Sequence, residues 1–169
     1  MATETKVRDV TRTQLIQAPP ARVMAAFFNE ADLKVWWNVT RSLTVQRPLG
    51  MYAVEWEATD FKDEVLGRLG GAFHGTIIDY RPNAAFFLAE AFWQPPDGDP
   101  IGPMALEVQA RPHGNGRATL LTVRQSGEGE GARWRRYFEI MDRGWEGALS
   151  ELKNFMDREA LRTRRGVSD

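Results

Sequence analysis

Few side chains in this sequence could carry chemistry, and their spacing narrows the field further. The only imidazoles are His74 and His113, and cysteine is absent. A metal centre needs three or four nitrogen, sulfur or carboxylate ligands brought together. His113 falls in the turn sequence His113-Gly114-Asn115-Gly116, whereas His74 lies beside Gly75 in a strand-like run, and no H-x-x-x-H spacing occurs. No metal site is expected. The acidic group Asp60, Asp63, Glu64 lacks the D-x-D-x-D-G order of a calcium loop and reads as the polar N-terminal end of a short helix. The four serines (Ser42, Ser126, Ser150, Ser168) lie outside any G-x-S-x-G motif and have no histidine near them in sequence, so no activated nucleophile is expected. Gly127-Glu128-Gly129-Glu130-Gly131-Ala132 formally fits G-x-G-x-x-A. No strand follows to carry a ribose-binding acid, and two glutamates would repel a pyrophosphate, so the segment reads as a flexible linker.

Glu90 is the most informative charge. It interrupts Phe86, Leu88 and Phe92 in a run, Ala85 to Trp93, that is apolar on both faces. Facing inward, its carboxyl would have a raised pKa and could engage a polar ligand group; facing outward, it would only keep a strand soluble. The opposite face, Phe87, Ala89, Ala91 and Trp93, is the more apolar and the better interior candidate. Asp79 in the preceding strand poses the same question. Trp36, Trp37, Trp56, Trp134 and Trp145 all fall at apolar positions, where core filling and cavity lining overlap.

These residues sit in a chain of 169 with 43% hydrophobic and 27% charged residues and a formal net charge of −1. That composition excludes disorder, and the near-neutral charge gives no reason to expect nucleic acid. No window approaches 18 uncharged apolar residues, so no membrane span is expected. The N-terminal region is charged throughout and lacks an apolar signal core, which makes a cytoplasmic location the expectation.

The hydrophobic pattern predicts the elements that must position these groups. Arg8 to Ala18 reads as a strand, stopped by Pro19-Pro20; Ala21–Phe28 and Ala31–Trp37 read as short helices, with Asn29 and Asp32 as caps. Six strands follow, at Leu43–Arg47, Met51–Ala58, Phe73–Arg81, Ala85–Trp93, Met104–Arg111 and Thr119–Gln125. Thr59 to Gly71 does not alternate and suggests a short helix or an ordered loop. From Ala132 to about Arg162, Trp134, Phe138, Met141, Trp145, Leu149 and Leu152 form one helical stripe. A helix of ~30 residues is ~45 Å long and needs a wide curved surface to pack on, which only the sheet can supply.

Ile16-x-Ala18-Pro19-Pro20-x-x-Val23, Leu33-x-x-Trp36-Trp37, His74-Gly75-x-Ile77, Gln125-Ser126-Gly127 and Gly144-Trp145-x-x-x-Leu149-x-x-Leu152-Lys153 occur in this order. Together they resemble the START-like superfamily abbreviated SRPBCC, and within it the activator of heat-shock-protein-90 ATPase homologue-like family in its small single-domain bacterial form. The resemblance covers about residues 8 to 156, and the long segment Asp60 to Gly71 departs from the common pattern. It implies an α+β helix-grip fold: a curved seven-stranded antiparallel sheet wrapped around the long C-terminal helix, with two short helices between strands 1 and 2. It also implies a cavity between sheet and helix for lipid-, polyketide- or aromatic-like molecules.

The sequence therefore predicts one domain over residues 8–162, with 1–7 and 163–169 as flexible termini. Its expected function is binding of a small, largely apolar molecule. The expected lining is Trp56, Ile77, Leu106, Val108, Leu121, Val123, Phe138, Met141 and Trp145, with Tyr52, His74 and Gln125 as polar handles and Glu90 as a candidate polar pocket group. No catalytic residue, cofactor or metal is expected. A chaperone or another protein is the alternative partner, the family name suggesting an interaction module. A cyclase- or hydrolase-type enzyme using His74 with Glu90 or Asp79 is the third reading. A monomer and a homodimer fit the sequence equally.

Overall fold

The structure, a computed structural model, describes residues 6–166. In chain order the elements are β1 (Lys6–Ile16), α1 (Pro20–Ala25), α2 (Glu30–Trp36), β2 (Arg41–Thr44) and β3 (Met51–Trp56). A short pair follows, β4 (Lys62–Asp63) and β5 (Gly67–Arg68), then β6 (Gly71–Arg81), β7 (Ala85–Gln94), β8 (Ile101–His113), β9 (Ala118–Gly129) and α3 (Ala132–Gly166). Seven strands form one antiparallel sheet in the order β1-β9-β8-β7-β6-β3-β2. With α3 against its inner face, this is the helix-grip fold.

Local chemistry accounts for the short helices. Pro20 begins α1, where its missing N–H costs nothing and its fixed φ suits a helix. Asn29 caps α2 by accepting a hydrogen bond from the Asp32 amide at 3.0 Å. The Arg22 guanidinium then grips Asp32 at 2.7 Å and Glu159 of α3 at 2.9 Å, joining all three helices through one fork. With 35 residues, α3 is about 52 Å long. It buries Tyr137, Phe138, Trp145, Leu149, Leu152 and Met156 against the sheet.

Strand β7 explains why both its faces read as apolar. Its pairing with β8 slips between Leu88 and Ala91, and Glu90 there has a left-handed φ of 52°. Such a bulge inserts a residue and reverses the phase of alternation. Phe86 and Leu88 point inward before it, and Ala91 and Trp93 after it. The expected inner face of Phe87, Ala89, Ala91 and Trp93 therefore holds only for its second half. Glu90 is exposed on the outer surface, which corrects its candidacy as a pocket group. Gly75 of β6 lies opposite, where a Cβ would stand 3.1 Å from the Ala91 Cβ and 3.2 Å from the Ala89 carbonyl oxygen. The close approach at the bulge favours glycine there, since a Cβ would push its neighbours aside by a few tenths of an ångström.

Two further expectations change. Of the two readings of residues 59–71, a short helix or an ordered loop, the helix fails, because the segment holds the β4–β5 hairpin. Gly127 to Gly129, expected in a flexible linker, continue β9 and pair with Arg8, Val7 and Lys6 of β1. Their lack of a side chain makes room for an indole: a Cβ on Gly127 would lie 2.9 Å from the Trp134 ring, and one on Gly129 would overlap it. At the ends, β1 begins at Lys6 and α3 runs to Gly166, so residues 6–7 and 163–166 belong to regular elements. The remainder of the expected termini, 1–5 and 167–169, lies outside the described residues.

Candidate functional site

A cavity of about 290 Å³ lies between α3 and the part of the sheet formed by β3, β6 and β7. That is near the lower end of the range for small-molecule pockets and is room for about ten waters. Trp56 ends β3, Phe73 opens β6 and Trp93 comes from the second half of β7, the bulge having turned it inward. Trp37 enters from the C-cap of α2, where the left-handed Asn38, at φ 56°, turns the chain away. From α3 come Tyr137, Met141 and Trp145, spaced four apart and so on one stripe, with Ile140 and Gly144 beside them.

The walls are aromatic, and three of their four indole donors are spent. The Trp37 ring lies 5.2 Å from Trp56 and 5.1 Å from Trp145, centroid to centroid. The Trp56 indole N–H donates to the Trp37 carbonyl at 2.9 Å, and that of Trp93 to the Gly70 carbonyl at 2.8 Å. The Trp145 N–H donates to Gln125 Oε1 at 2.8 Å. Gln125 is 1% exposed, and its Nε2 donates to the Tyr137 hydroxyl at 2.9 Å and to Met104 Sδ at 3.5 Å. One amide thus joins β9, β8 and α3 at the polar end of an otherwise apolar space.

The hairpin of 60–71 is the rim, and it is tied on both sides. Leu66 and Leu69 face the cavity, while the Asp63 carboxylate accepts from the amides of Val65 and Leu66 at 3.1 and 3.0 Å. The same carboxylate takes the Arg136 fork of α3 at 2.9 and 2.7 Å. These bonds, the Arg136 fork first, hold its pKa below the usual carboxylate range. Arg68 grips Asp97, after β7, with two guanidinium bonds at 3.0 and 2.9 Å. That pair holds the Asp97 carboxyl down at about 2.

Among the described residues, the ionisable side chains bordering the cavity are Glu57, exposed at the mouth, and Tyr137, whose phenol pKa burial pushes up. No group of three or more metal-ligating side chains is placed to hold an ion among those residues.

Of the residues expected to line a cavity, Trp56, Gln125, Met141 and Trp145 do border it. Ile77, Leu106, Val108, Leu121, Val123 and Phe138 are buried in the packed core away from it. Tyr52 is also core, its hydroxyl committed to the Phe27 carbonyl at 2.7 Å. His74 is a correction: it is exposed on the outer face of β6, its ring 6.0 Å from that of Phe92. Asp79 is exposed too. The third reading's pairing of His74 with Glu90 or Asp79 thus has no place inside the cavity. Sequence reasoning missed Tyr137, Trp37, Trp93, Phe73 and the rim leucines. The spacing of Tyr137 from Met141 and Trp145 was a usable signal for the first of these.

A bent antiparallel sheet, a gripping helix and an aromatic cavity between them define the START-like, SRPBCC class. Within it, the chain belongs to the family of activator of Hsp90 ATPase homolog 1-like proteins, whose model matches residues 17–157. No curated protein matches it. Among solved structures, a Mesorhizobium loti protein superposes with a TM-score of 0.66 at 19% identity, covering 89% of this chain and 98% of its own. A Staphylococcus aureus protein of unknown function gives 0.68 at 13% identity, with 94% and 98% covered. An uncharacterized Rhizobium leguminosarum protein gives 0.62 at 20%, with 92% and 99% covered. At these identities the likeness shows the fold. No helix among the described residues is long and apolar enough to cross a membrane.

Proposed function

We propose that this protein binds a small, largely apolar molecule of aromatic size in the cavity between α3 and the sheet. The observation that carries this reading is a space of about 290 Å³ walled by Trp37, Trp56, Trp93 and Trp145. Three of those indole donors are bonded within the protein, so Trp56, Trp93 and Trp145 offer π-faces and edges and no free donor. Largely apolar walls around a persistent gap suit a hydrophobic guest, whose entry restores the dispersion contacts that the gap forfeits. No acid–base pair converges on the space, so binding without turnover is the function the site supports best.

Titration with 2-ethylnaphthalene, followed through indole N–H signals in ¹H–¹⁵N spectra, tests the reading. The Trp56, Trp93 and Trp145 signals should move saturably with micromolar affinity, about −8 kcal/mol. The Trp36 indole, bonded to the Ala26 carbonyl at 2.9 Å and outside the cavity lining, should move less than these three. Absence of saturable change in the three cavity indoles would refute it.

A further inference from the structure

Besides Asn38, Glu57 and Thr59, the cavity's polar lining is Gln125 with Tyr137, where the direction of each hydrogen bond can be worked out. An indole N–H can only donate. Trp145 donates to Gln125 at 2.8 Å, and this fixes the amide, because the flipped orientation would set two donors face to face. Gln125 Nε2 therefore faces Tyr137 and donates to its hydroxyl oxygen at 2.9 Å, its other hydrogen being directed at Met104 Sδ. The hydroxyl is thereby an acceptor in that bond and keeps its own proton to give. Among the described residues it makes no other hydrogen bond. The Tyr137 side chain is 2% exposed and borders the cavity.

The phenol is also held in place. Its ring stacks on Trp93 at 5.2 Å and meets Phe138 edge to face at 5.5 Å. Arg136, the preceding residue, is clamped to Asp63 of the rim. Burial raises the phenol's pKa, so the proton stays on the oxygen through the ordinary pH range. Among the described residues no lysine, arginine or histidine lines the cavity, and the carboxylate of Glu57 at its mouth repels anions.

We propose that Tyr137 is the specificity-determining donor of this cavity, and that its ligand is a neutral, aromatic-sized molecule bearing one oxygen acceptor, of the ketone or quinone kind, that receives the Tyr137 proton. This deepens the proposed function and rests on it. A hydrocarbon of the same shape would bury the hydroxyl without a partner, so it should still bind through its apolar contacts but less tightly than the ketone. A carboxylate of the same shape would lose its hydration without gaining a cation.

The test compares 2-acetylnaphthalene, which has a carbonyl acceptor, with 2-ethylnaphthalene, which has none. Calorimetric titration of both into the wild-type protein and Tyr137→Phe gives four dissociation constants. The preference for ketone over hydrocarbon should fall at least about five-fold in Tyr137→Phe, the equivalent of one net hydrogen bond. An unchanged preference, with both probes bound, overturns the role of Tyr137 and leaves the binding reading standing. Failure of both probes to bind the wild-type protein overturns both. Should Tyr137→Phe not fold, the wild-type protein answers alone. The carbonyl stretch of bound 2-acetylnaphthalene should move to lower frequency than in hexane if it accepts the hydroxyl, and a hexane-like frequency overturns the proposal.

Discussion

Gln125 is the residue whose loss should be felt most sharply, and the structure sets the size of the effect. Gln125→Leu keeps the volume but takes the acceptor from the Trp145 indole, 3% exposed, and the donor from the Tyr137 hydroxyl, 2% exposed. A buried polar group left unpaired costs about 1–3 kcal/mol, and the greater apolarity of leucine returns about 1 kcal/mol. The net loss should be about 1–5 kcal/mol, or a Tm lower by roughly 2–20 °C at this chain length. Trp145→Phe strands only the Gln125 oxygen and should cost about 1–2 kcal/mol by that count, plus the packing of the lost ring atoms. In the double variant the donor and the acceptor are both gone, so the two losses should fail to add by about 1–2 kcal/mol. Urea unfolding followed by far-ultraviolet circular dichroism measures all four proteins. Additivity within about 0.5 kcal/mol would refute the claim that this amide and this indole are bonded to each other.

Gly129→Ala forces a methyl into the Trp134 ring and should lower stability by about 1–3 kcal/mol in the same urea assay; unchanged stability would mean that the indole does not lie on β9. The rim should loosen in acid, because the Asp97 carboxyl is held below its ordinary 3.8, at about 2. A depressed carboxylate contributes stability that is complete above its ordinary value and lost as pH falls towards the folded one, so the Arg68 amide, which donates to Asp97 Oδ2 at 3.2 Å, should lose protection against hydrogen exchange relative to its intrinsic rate between those pH values. Asp97→Asn should show fast exchange already at neutral pH. His74→Ala and Glu90→Gln should leave 2-ethylnaphthalene affinity unchanged, since both residues stand on the outer face; a several-fold change in either would contradict the placement of the cavity.

The sheet was legible where one face is buried and the other solvated. The alternation of Tyr52, Val54 and Trp56 gave β3, and that of Met104, Leu106 and Val108 gave most of β8, because period-two patterning is imposed by the pleat itself. It failed at β7, where an inserted residue changes the phase within one strand, and no single-face template can fit both halves. The extension of β9 through Gly127 and Gly129 was hidden for another reason. Its partners, Arg8 to Lys6 and the Trp134 ring, lie elsewhere in sequence, so glycines required by packing looked like glycines of a linker. The site was half legible. Met141 and Trp145 announced themselves by helical spacing, but Trp37 and Leu66 reach the cavity through turns whose direction depends on tertiary ties such as Asp63 to Arg136.

Glu90 matters differently once the chain is considered before it folds. In the native sheet its side chain is solvated and its left-handed φ would suit asparagine or glycine at least as well. In the unfolded or nascent chain, however, Ala85 to Trp93 is a nine-residue stretch of aromatic and aliphatic residues with one charge near its middle. Such stretches, without proline and with little charge, are what stacks into intermolecular cross-β assemblies. A carboxylate repeated in register along a growing stack repels its copies, so Glu90 acts as a gatekeeper against self-association during synthesis. The bulge lets one residue serve both conditions: it is the most exposed position within Ala85 to Trp93, so a charge sits there in solvent, in a strand whose unfolded sequence needs one.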